Sequence, residues 1–415
     1  MERPLVVWIT SGFPYGSGEQ FIETEVQYWS GFPGDVILLP ENPGPSEARP
    51  VPEGVRVSTR LMHRWNSLRW QLLAALQAVV SPVLWRELGG LVASRRVSRY
   101  RVQHAVLSVV RVKMEERVLR ILAHEHGRPI DVVYAYWMSI ASFAGCMGRR
   151  KGYVRRVVAR AHGTDLYEDK RPERYTALVR QFAREYEALF TISEDGRAHA
   201  ERYGFAPEQL RVARLGVTSA GRTLPSDPGH LSLLSVSSLT PFKQVHLIVA
   251  AVAEVAKRLP ETQVHWTHVG TGELGLDIER AVAERLGLAN VTVDLLGHIP
   301  NPELMTWFDA NRVDLFLNAS SSEGVPVSIM EAMAHEVPVI APDVGAVSEI
   351  VPPELLLPAA FTVEDMVTRV VEVRERVKDP VYRRAIRALQ VEAYDAASNY
   401  SQFVAGIAAL GADDA

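Results

Sequence analysis

The chain is predicted to be an α/β protein of two domains, each built on a parallel sheet, and three observations carry that prediction. At 415 residues it is long enough for two cores. Short apolar runs of strand length alternate with stretches of helical spacing along most of the chain, the rhythm of strands joined by crossover helices. Run after run then ends in a glycine or polar loop, and the carboxyl ends of open parallel sheets are where such proteins bind ligands. The composition, 47% hydrophobic and 23% charged, agrees. A net charge of −4 carries no signal for nucleic acid, so none is expected as a partner. The single cysteine, Cys146, excludes an internal disulfide framework and argues against a cysteine metal cluster. Cytoplasm is the expected compartment. The first apolar run is too short for a signal sequence, and none approaches the ~18 uninterrupted apolar residues of a membrane span.

The first strand is expected over Leu5 to Thr10, opening into Ser11-Gly12-Phe13-Pro14-Tyr15-Gly16-Ser17-Gly18-Glu19. Glycines there permit positive φ and close approach of the backbone to a ligand. Phe21, Ile22, Val26 and Trp29 keep helical spacing, and Asp35 to Pro40 is a second strand. Strand, glycine loop and helix can set amides against a phosphate. The loop is neither a Walker loop nor a Gly-x-Gly-x-x-Gly turn. A plain structural turn stays open.

Residues 60–120 interrupt the rhythm with a helical insertion carrying twelve arginines and lysines against Glu87, Glu115 and Glu116. Trp65, Trp70 and Trp85 lie within it. A basic amphipathic helix with tryptophans can lie on an anionic membrane or receive an acidic acceptor, and a solvated cationic face is the plainer alternative. Strands resume at Asp131–Tyr136 and Val157–Ala161, the latter ending in His162-Gly163-Thr164-Asp165. Leu189 to Ile192 is another strand, with Ser193 as the cap of the helix that follows.

Residues 219–230 have turn and linker chemistry and mark the domain boundary, leaving 1–218 as the N-terminal domain. The second domain, 231–381, starts with Leu231–Val236 and the loop through Ser238 to Lys243. Further strands end at Gly270-Thr271-Gly272, at Gly297-His298 and at Asp343-Val344-Gly345. Between the last two, Leu315 to Asn318 leads into Glu323-Gly324-Val325-Pro326-Val327-Ser328-Ile329-Met330-Glu331. Helical spacing resumes at Pro326, so the free amides near Val327 and Ser328 and the positive dipole end form an anion site. Glu323 and Glu331 flank it, and carboxylates beside an amide cradle suit a nucleotide-sugar. A capped helix with two solvated glutamates is the alternative. Lys243 would add a point charge near a bound phosphate. Residues 382–415 close the chain as helix.

These segments resemble the donor domain of the family 4 retaining glycosyltransferases. Ser235 to Leu239 with Lys243 is similar to the diphosphate-binding loop, Gly270, Gly272, Gly297 and His298 to the loops beside the nucleoside, and Glu323 to Glu331 to the Glu-x7-Glu motif. Pro338 to Ala341 with Glu349 follows in order. Phe13 to Glu19 and His162-Gly163-x-Asp165 resemble the acceptor-domain loops. Asn399 to Phe403 resembles the terminal helix that packs back on the first domain. Many members carry arginine where Ser238 stands, and glycine at the positions of Gln244 and Glu336; Ala346 is another departure.

The resemblance implies a GT-B fold, two Rossmann-like doubly wound domains facing a cleft. It implies transfer of a sugar from a UDP- or GDP-sugar to a hydroxyl of a sugar, lipid-linked or small-molecule acceptor, with retention and with neither cofactor nor metal. Glu331 would hold the ribose, Glu323 and the Gly324 amide the sugar, Val325 would also bind the donor, and His162 would hold the sugar or transition state. Lys243, Ser238, Val327 and Ser328 would hold the diphosphate. Gly16 and Gly18 would line the phosphates, and Glu19 and Asp165 would serve the acceptor. The donor phosphate would assist the incoming hydroxyl. A nucleotide-sugar epimerase or hydrolase on the same plan and a non-catalytic sugar-nucleotide binding subunit are the rivals. The basic insertion would give peripheral contact with the inner face of the membrane.

Overall fold

The computed structural model describes residues 3–16, 18–19, 21–42, 47–218 and 221–412. Ser17 of the first glycine loop and Ser219–Ala220 of the expected linker lie outside them. The chain divides into two compact units, residues 1–214 with 399–415, and residues 215–398. Residues 382–398, expected to belong with the terminal helix, fall in the second unit. The expected linker falls there too. Thr223 is buried, its hydroxyl donates to the Phe308 carbonyl at 2.8 Å and its carbonyl accepts from Arg383.

The first unit carries strands β1 (Leu5–Thr10), β2 (Asp35–Pro40), β3 (Val55–Val57), β4 (Ile130–Ala135), β5 (Val154–Ala161), β6 (Ala188–Thr191) and β7 (Leu210–Val212). All pair in parallel, in the order β3-β2-β1-β4-β5-β6-β7. A parallel strand is covered on both faces, which is why β1 reads as a continuous apolar run. Alternate residues serve the two faces. Leu5, Val7 and Ile9 join the core under helices Arg99–Glu125 and Ile140–Arg150. Val6 and Trp8 join an aromatic core with Trp29, Tyr134 and Phe403 on the other side. Helix Ala396–Ala412 caps that second face. Inside it Arg160 and Glu25 form a fully buried ion pair, Tyr134 donates to Glu25 at 3.0 Å, and the Arg160 guanidinium lies 4.1 Å from the Phe403 ring centre.

The insertion folds as helices Arg60–Trp65, Leu68–Val79, Pro82–Ala93 and the long Arg99–Glu125, whose first turn is capped by the Ser98 hydroxyl accepting from the Arg101 amide at 3.1 Å. The cap expected at Ser193 is present as well, accepting from Gly196 at 3.0 Å.

The second unit carries β8 (His230–Val236), β9 (Gln263–Val269), β10 (Val291–Leu295), β11 (Leu315–Leu317), β12 (Val339–Pro342) and β13 (Leu356–Leu357). They too are parallel, in the order β10-β9-β8-β11-β12-β13. Both sheets therefore reverse direction of winding once, between β1 and β4 and between β8 and β11. At such a switch point the loops leaving neighbouring strands part to opposite sides and open a crevice at the carboxyl ends.

Candidate functional site

In the second unit the loops at the switch point are Ser237–Lys243, after β8, and Asn318–Pro326, after β11. The topology thus brings Lys243 and Glu323 together from distant places in the chain. The Lys243 ammonium and the Glu323 carboxylate are 2.6 Å apart, with both side chains largely shielded. Asn318 adds a long contact to the same carboxylate at 3.4 Å and holds the turn by accepting from the Ser320 amide at 2.8 Å. Helix Val327–Ala334 starts next to them, behind Pro326, which suits a helix entry because its fixed φ needs no further ordering. Val327 and Ser328 stand half-buried in its first turn, where N–H groups have no partner within the helix.

Glu331 lies one turn deeper and is buried; the Asn301 side-chain amide donates to it at 2.6 Å. Burial pushes its pKa up to about 7, against the opposing effect of Asn301. Among the described residues no arginine or lysine pairs with it, so near neutral pH this buried carboxyl stands between its charged and neutral forms. Asn301 was not foreseen: it sits at the start of helix Asn301–Ala310 and only tertiary packing brings it to Glu331.

Gly270 and Gly272 have a packing reason to be glycine. A Cβ on Gly270, at φ +142°, would lie 1.9 Å from the Ser237 carbonyl oxygen, and one on Gly272 would lie 2.4 Å from that of Leu239. Both let the β9 loop press against the β8 loop. Ser238 and His298 are exposed on the rim. Gly345 does the same for the motif loop, since a Cβ there would lie 1.9 Å from the Glu323 carbonyl.

The two departures from glycine have a backbone meaning. Gln244 and Glu336 adopt φ of +48° and +64°, the left-handed region that glycine enters without a Cβ penalty. Glu336 is held there by Arg222 at 3.1 Å and Arg387 at 3.9 Å. These departures are strain absorbed by the scaffold, and they leave the Lys243–Glu323 pair intact.

In the first unit the switch-point loops are those after β1 and β4. Glu19 closes the first of them on itself: its carboxylate accepts from the amides of Ser11, Gly12 and Phe13 at 3.1, 2.8 and 2.7 Å and from the Trp137 indole at 2.6 Å. Gly16 has φ +72° and Gly18 is exposed. His162, at the end of β5, is buried with its ring stacked on Tyr136 at 4.8 Å and against Trp137 at 4.5 Å. Neither ring nitrogen has a hydrogen-bond partner among the described residues. Asp165 positions this turn. Its two oxygens accept from the His162 amide at 2.9 Å and the Met138 amide at 3.0 Å, and one lies 3.8 Å from the His162 ring. Burial works to raise the Asp165 pKa, but the contacts with His162 and with these amides bring it below the ordinary value. Trp137, which the sequence did not single out, joins the Glu19 and His162 groups.

Two Rossmann-like parallel sheets in one chain, each with its polar loops gathered at the switch point, are the plan of the GT-B fold. The Anabaena protein Alr3699/HepE, solved in complex with UDP-glucose, aligns at 15% identity with a TM-score of 0.64 over 98% of this chain and 99% of that one. Residues 85–220 match the Glycosyltransferase Family 4 profile, and residues 230–375 match Glycosyl transferases group 1. The putative colanic acid biosynthesis glycosyltransferase WcaL of Salmonella typhimurium is 28% identical over 213 residues, 49% of this chain and 51% of that protein. The amylovoran biosynthesis glycosyltransferase AmsK of Erwinia amylovora is 25% identical over 67% of each. The matched segment is thus about half the length of WcaL. The chain belongs to the family 4 glycosyltransferases with the GT-B fold.

Proposed function

We propose that the chain is a retaining glycosyltransferase that moves a sugar, of hexosyl type, from a UDP- or GDP-sugar to a hydroxyl acceptor in glycan or glycoconjugate biosynthesis. The observation that carries this is the Lys243–Glu323 pair at the switch point, beside the first turn of helix Val327–Ala334 and the buried Glu331. The family match, the UDP-glucose bound by HepE and the polysaccharide pathways named for WcaL and AmsK support it.

In this reading the donor diphosphate takes Lys243 from Glu323 and sits on the amides of Val327 and Ser328. These charges offset the negative charge that develops as the diphosphate leaves. Glu323, released from the lysine, accepts from the sugar hydroxyls with the Gly324 and Val325 region beside it. Glu331 accepts from the ribose, with Ser238, Gly270, Gly272 and His298 bordering the nucleotide. His162 donates to the transferred sugar, and Gly16 and Gly18 border the phosphates. Glu19 and Asp165 act as positioning residues, because their oxygens already hold loop amides. The protein supplies positioning and electrostatics, and the donor phosphate takes the acceptor proton. Neither cofactor nor metal is part of the proposal, so activity retained in EDTA is the expected result.

A panel of UDP-, GDP- and ADP-sugars with and without acceptor tests the reading. Nucleotide release that depends on acceptor supports it. Epimer formation without acceptor, or binding without turnover, would replace it with an epimerase or a binding subunit.

Membrane contact through the insertion belongs to the same proposal. Leu68, Leu72 and Leu76, spaced four residues apart on one helix face, are 67%, 58% and 69% exposed, and Val79, Val80 and Trp85 continue the patch. Exposed Arg69 and Arg86 border it, which suits an anionic lipid surface. No single helix among the described residues is long and apolar enough to cross a membrane; helices Leu68–Val79 and Pro82–Ala93 pass that test only as a pair bent by 57°. Trp65 and Trp70 are otherwise engaged, since Arg111 lies over the first and Arg64 and Arg117 over the second.

A further inference from the structure

A cavity of about 360 Å³ opens within the first unit, between the carboxyl edge of its sheet and the long helix of the insertion. Its volume lies in the range of small-molecule sites, roughly 300–1,000 Å³. One wall is made by Trp137 in the loop after β4 and Asp165 in the turn after β5, which also carries His162. The opposite wall is His104, Ser108 and Arg111 of helix Arg99–Glu125, with Arg171 at the side.

The charges in this cavity do not cancel. Asp165 is ionised, with its oxygens accepting from the amides of His162 and Met138. Glu41, the other carboxyl in the lining, is pushed up to about 7 by burial and by Glu19, with Arg111 opposing, so near neutrality it is only partly ionised. His104 is held below its ordinary value by burial and by Arg171 and Arg111, and contributes no charge at neutral pH. Two guanidiniums therefore face one carboxylate and one partly protonated carboxyl, and the lining is net positive. Arg171 is oriented by its Nε donating to the Thr164 carbonyl at 2.7 Å, and Arg111 stands with its guanidinium 5.5 Å from the Trp65 ring centre. The buried Thr176 hydroxyl, without a hydrogen-bond partner, also lines the space.

We infer that this cavity takes a sugar bearing an anionic group, a carboxylate or a phosphate, with Arg111 and Arg171 reading the charge and the hydroxyl-bearing wall reading the ring. A guanidinium meets either oxyanion with two parallel N–H donors, so the shared chemistry is a planar or tetrahedral oxyanion on a sugar. The inference deepens the glycosyltransferase reading, on which it rests, by stating the class of acceptor. It also assigns the insertion a role in selecting that acceptor.

The test is binding of glucuronate, glucose 6-phosphate and glucose to the full-length protein by calorimetry, with UDP and GDP as separate titrations. Glucuronate, glucose 6-phosphate or both should bind and glucose should not; which of the two binds distinguishes carboxylate from phosphate. Arg111→Gln, a change at an exposed position, should weaken the charged ligand by about tenfold or more, with UDP affinity unchanged. Arg171→Gln should act in the same direction. Glucose binding as well as the charged sugars, no sugar binding at all, or Arg111→Gln and Arg171→Gln without effect would overturn the inference and leave the donor site untouched. Binding of the charged sugars without any binding of UDP or GDP would instead remove the transferase reading while the cavity stands.

Discussion

Glu331 concentrates the chemistry of the second unit in one buried carboxyl. Its pKa is raised in the folded chain, so the folded state holds a proton that the unfolded state has lost between the ordinary value of 4.5 and about 7. The native state binds more protons in that window, and stability therefore falls as pH rises through it and levels off above. The cost at neutral pH is on the order of 3 kcal/mol at most, from the size of the shift. Glu331→Gln should abolish that slope in urea melts at pH 5 to 8. Glu331→Ala should weaken UDP binding strongly, and affinity equal to wild type would remove Glu331 from the site. The left-handed Gln244 offers a contrasting test. Gln244→Gly removes a Cβ penalty of about 1–2 kcal/mol and gives back part of it through chain entropy. A net gain of roughly 0.5–1 kcal/mol is expected, seen as a higher Tm.

Among the elements, the insertion differs most from the Rossmann-like plan around it. Its long helix is bound to the sheet by Val109, Val112, Val118, Leu119 and Leu122, all buried, whereas Leu68–Val79 buries only Ala74 and Ala78. A helix that covers so little core yet exposes a row of leucines gains nothing from water on that face. Leu72→Asn with Leu76→Asn should lower binding to vesicles containing anionic lipid while leaving the melting temperature within a few degrees of wild type. Equal sedimentation with anionic vesicles would leave the patch without a lipid role. Charge removal belongs at Arg69 and Arg86. Arg96 and Arg101 donate to the carbonyls of Arg174 and Glu173 at 2.6 Å each, and their loss would disturb the scaffold.

At the level of the whole molecule, the end of the chain completes the first unit. Phe403 packs against Tyr134 at 5.1 Å and Phe190 at 5.0 Å, and with Tyr400 it covers the buried Arg160–Glu25 pair. Arg156 also donates to the Leu410 carbonyl at 2.6 Å. Phe403→Ala should cost about 3–5 kcal/mol through lost burial and the cavity left behind. Ending the chain at Ser398 should cost more, because it removes both Tyr400 and Phe403 from the buried Arg160–Glu25 pair. Chemical denaturation of both variants checks the order.

The alternation of apolar strands and helical segments was legible because a parallel strand covered on both faces favours a near-continuous apolar run, as in β1 and β2, while β4, β5, β8 and β9 keep shorter apolar stretches broken by polar residues. The strands β3, β7 and β13, two or three residues long at or near sheet edges, leave no such pattern. The Glu323–Glu331 motif, Lys243 and the glycine loops could be read from their order along the chain, since strand ends in a parallel sheet share one edge. What lies across the fold could not be read. Asn301 beside Glu331, Trp137 on Glu19 and His162, Glu25 against Arg160, and Arg111 with Arg171 around one cavity each join residues far apart in sequence. By itself the sequence determined the parallel α/β plan and the identity of the loops that meet at the second switch point, because hydrophobic period and turn chemistry are local. Only the tertiary structure decided which carboxyls were spent on their own loops and which stood between charged and neutral forms, because burial and hydrogen-bond partners are properties of the packed chain.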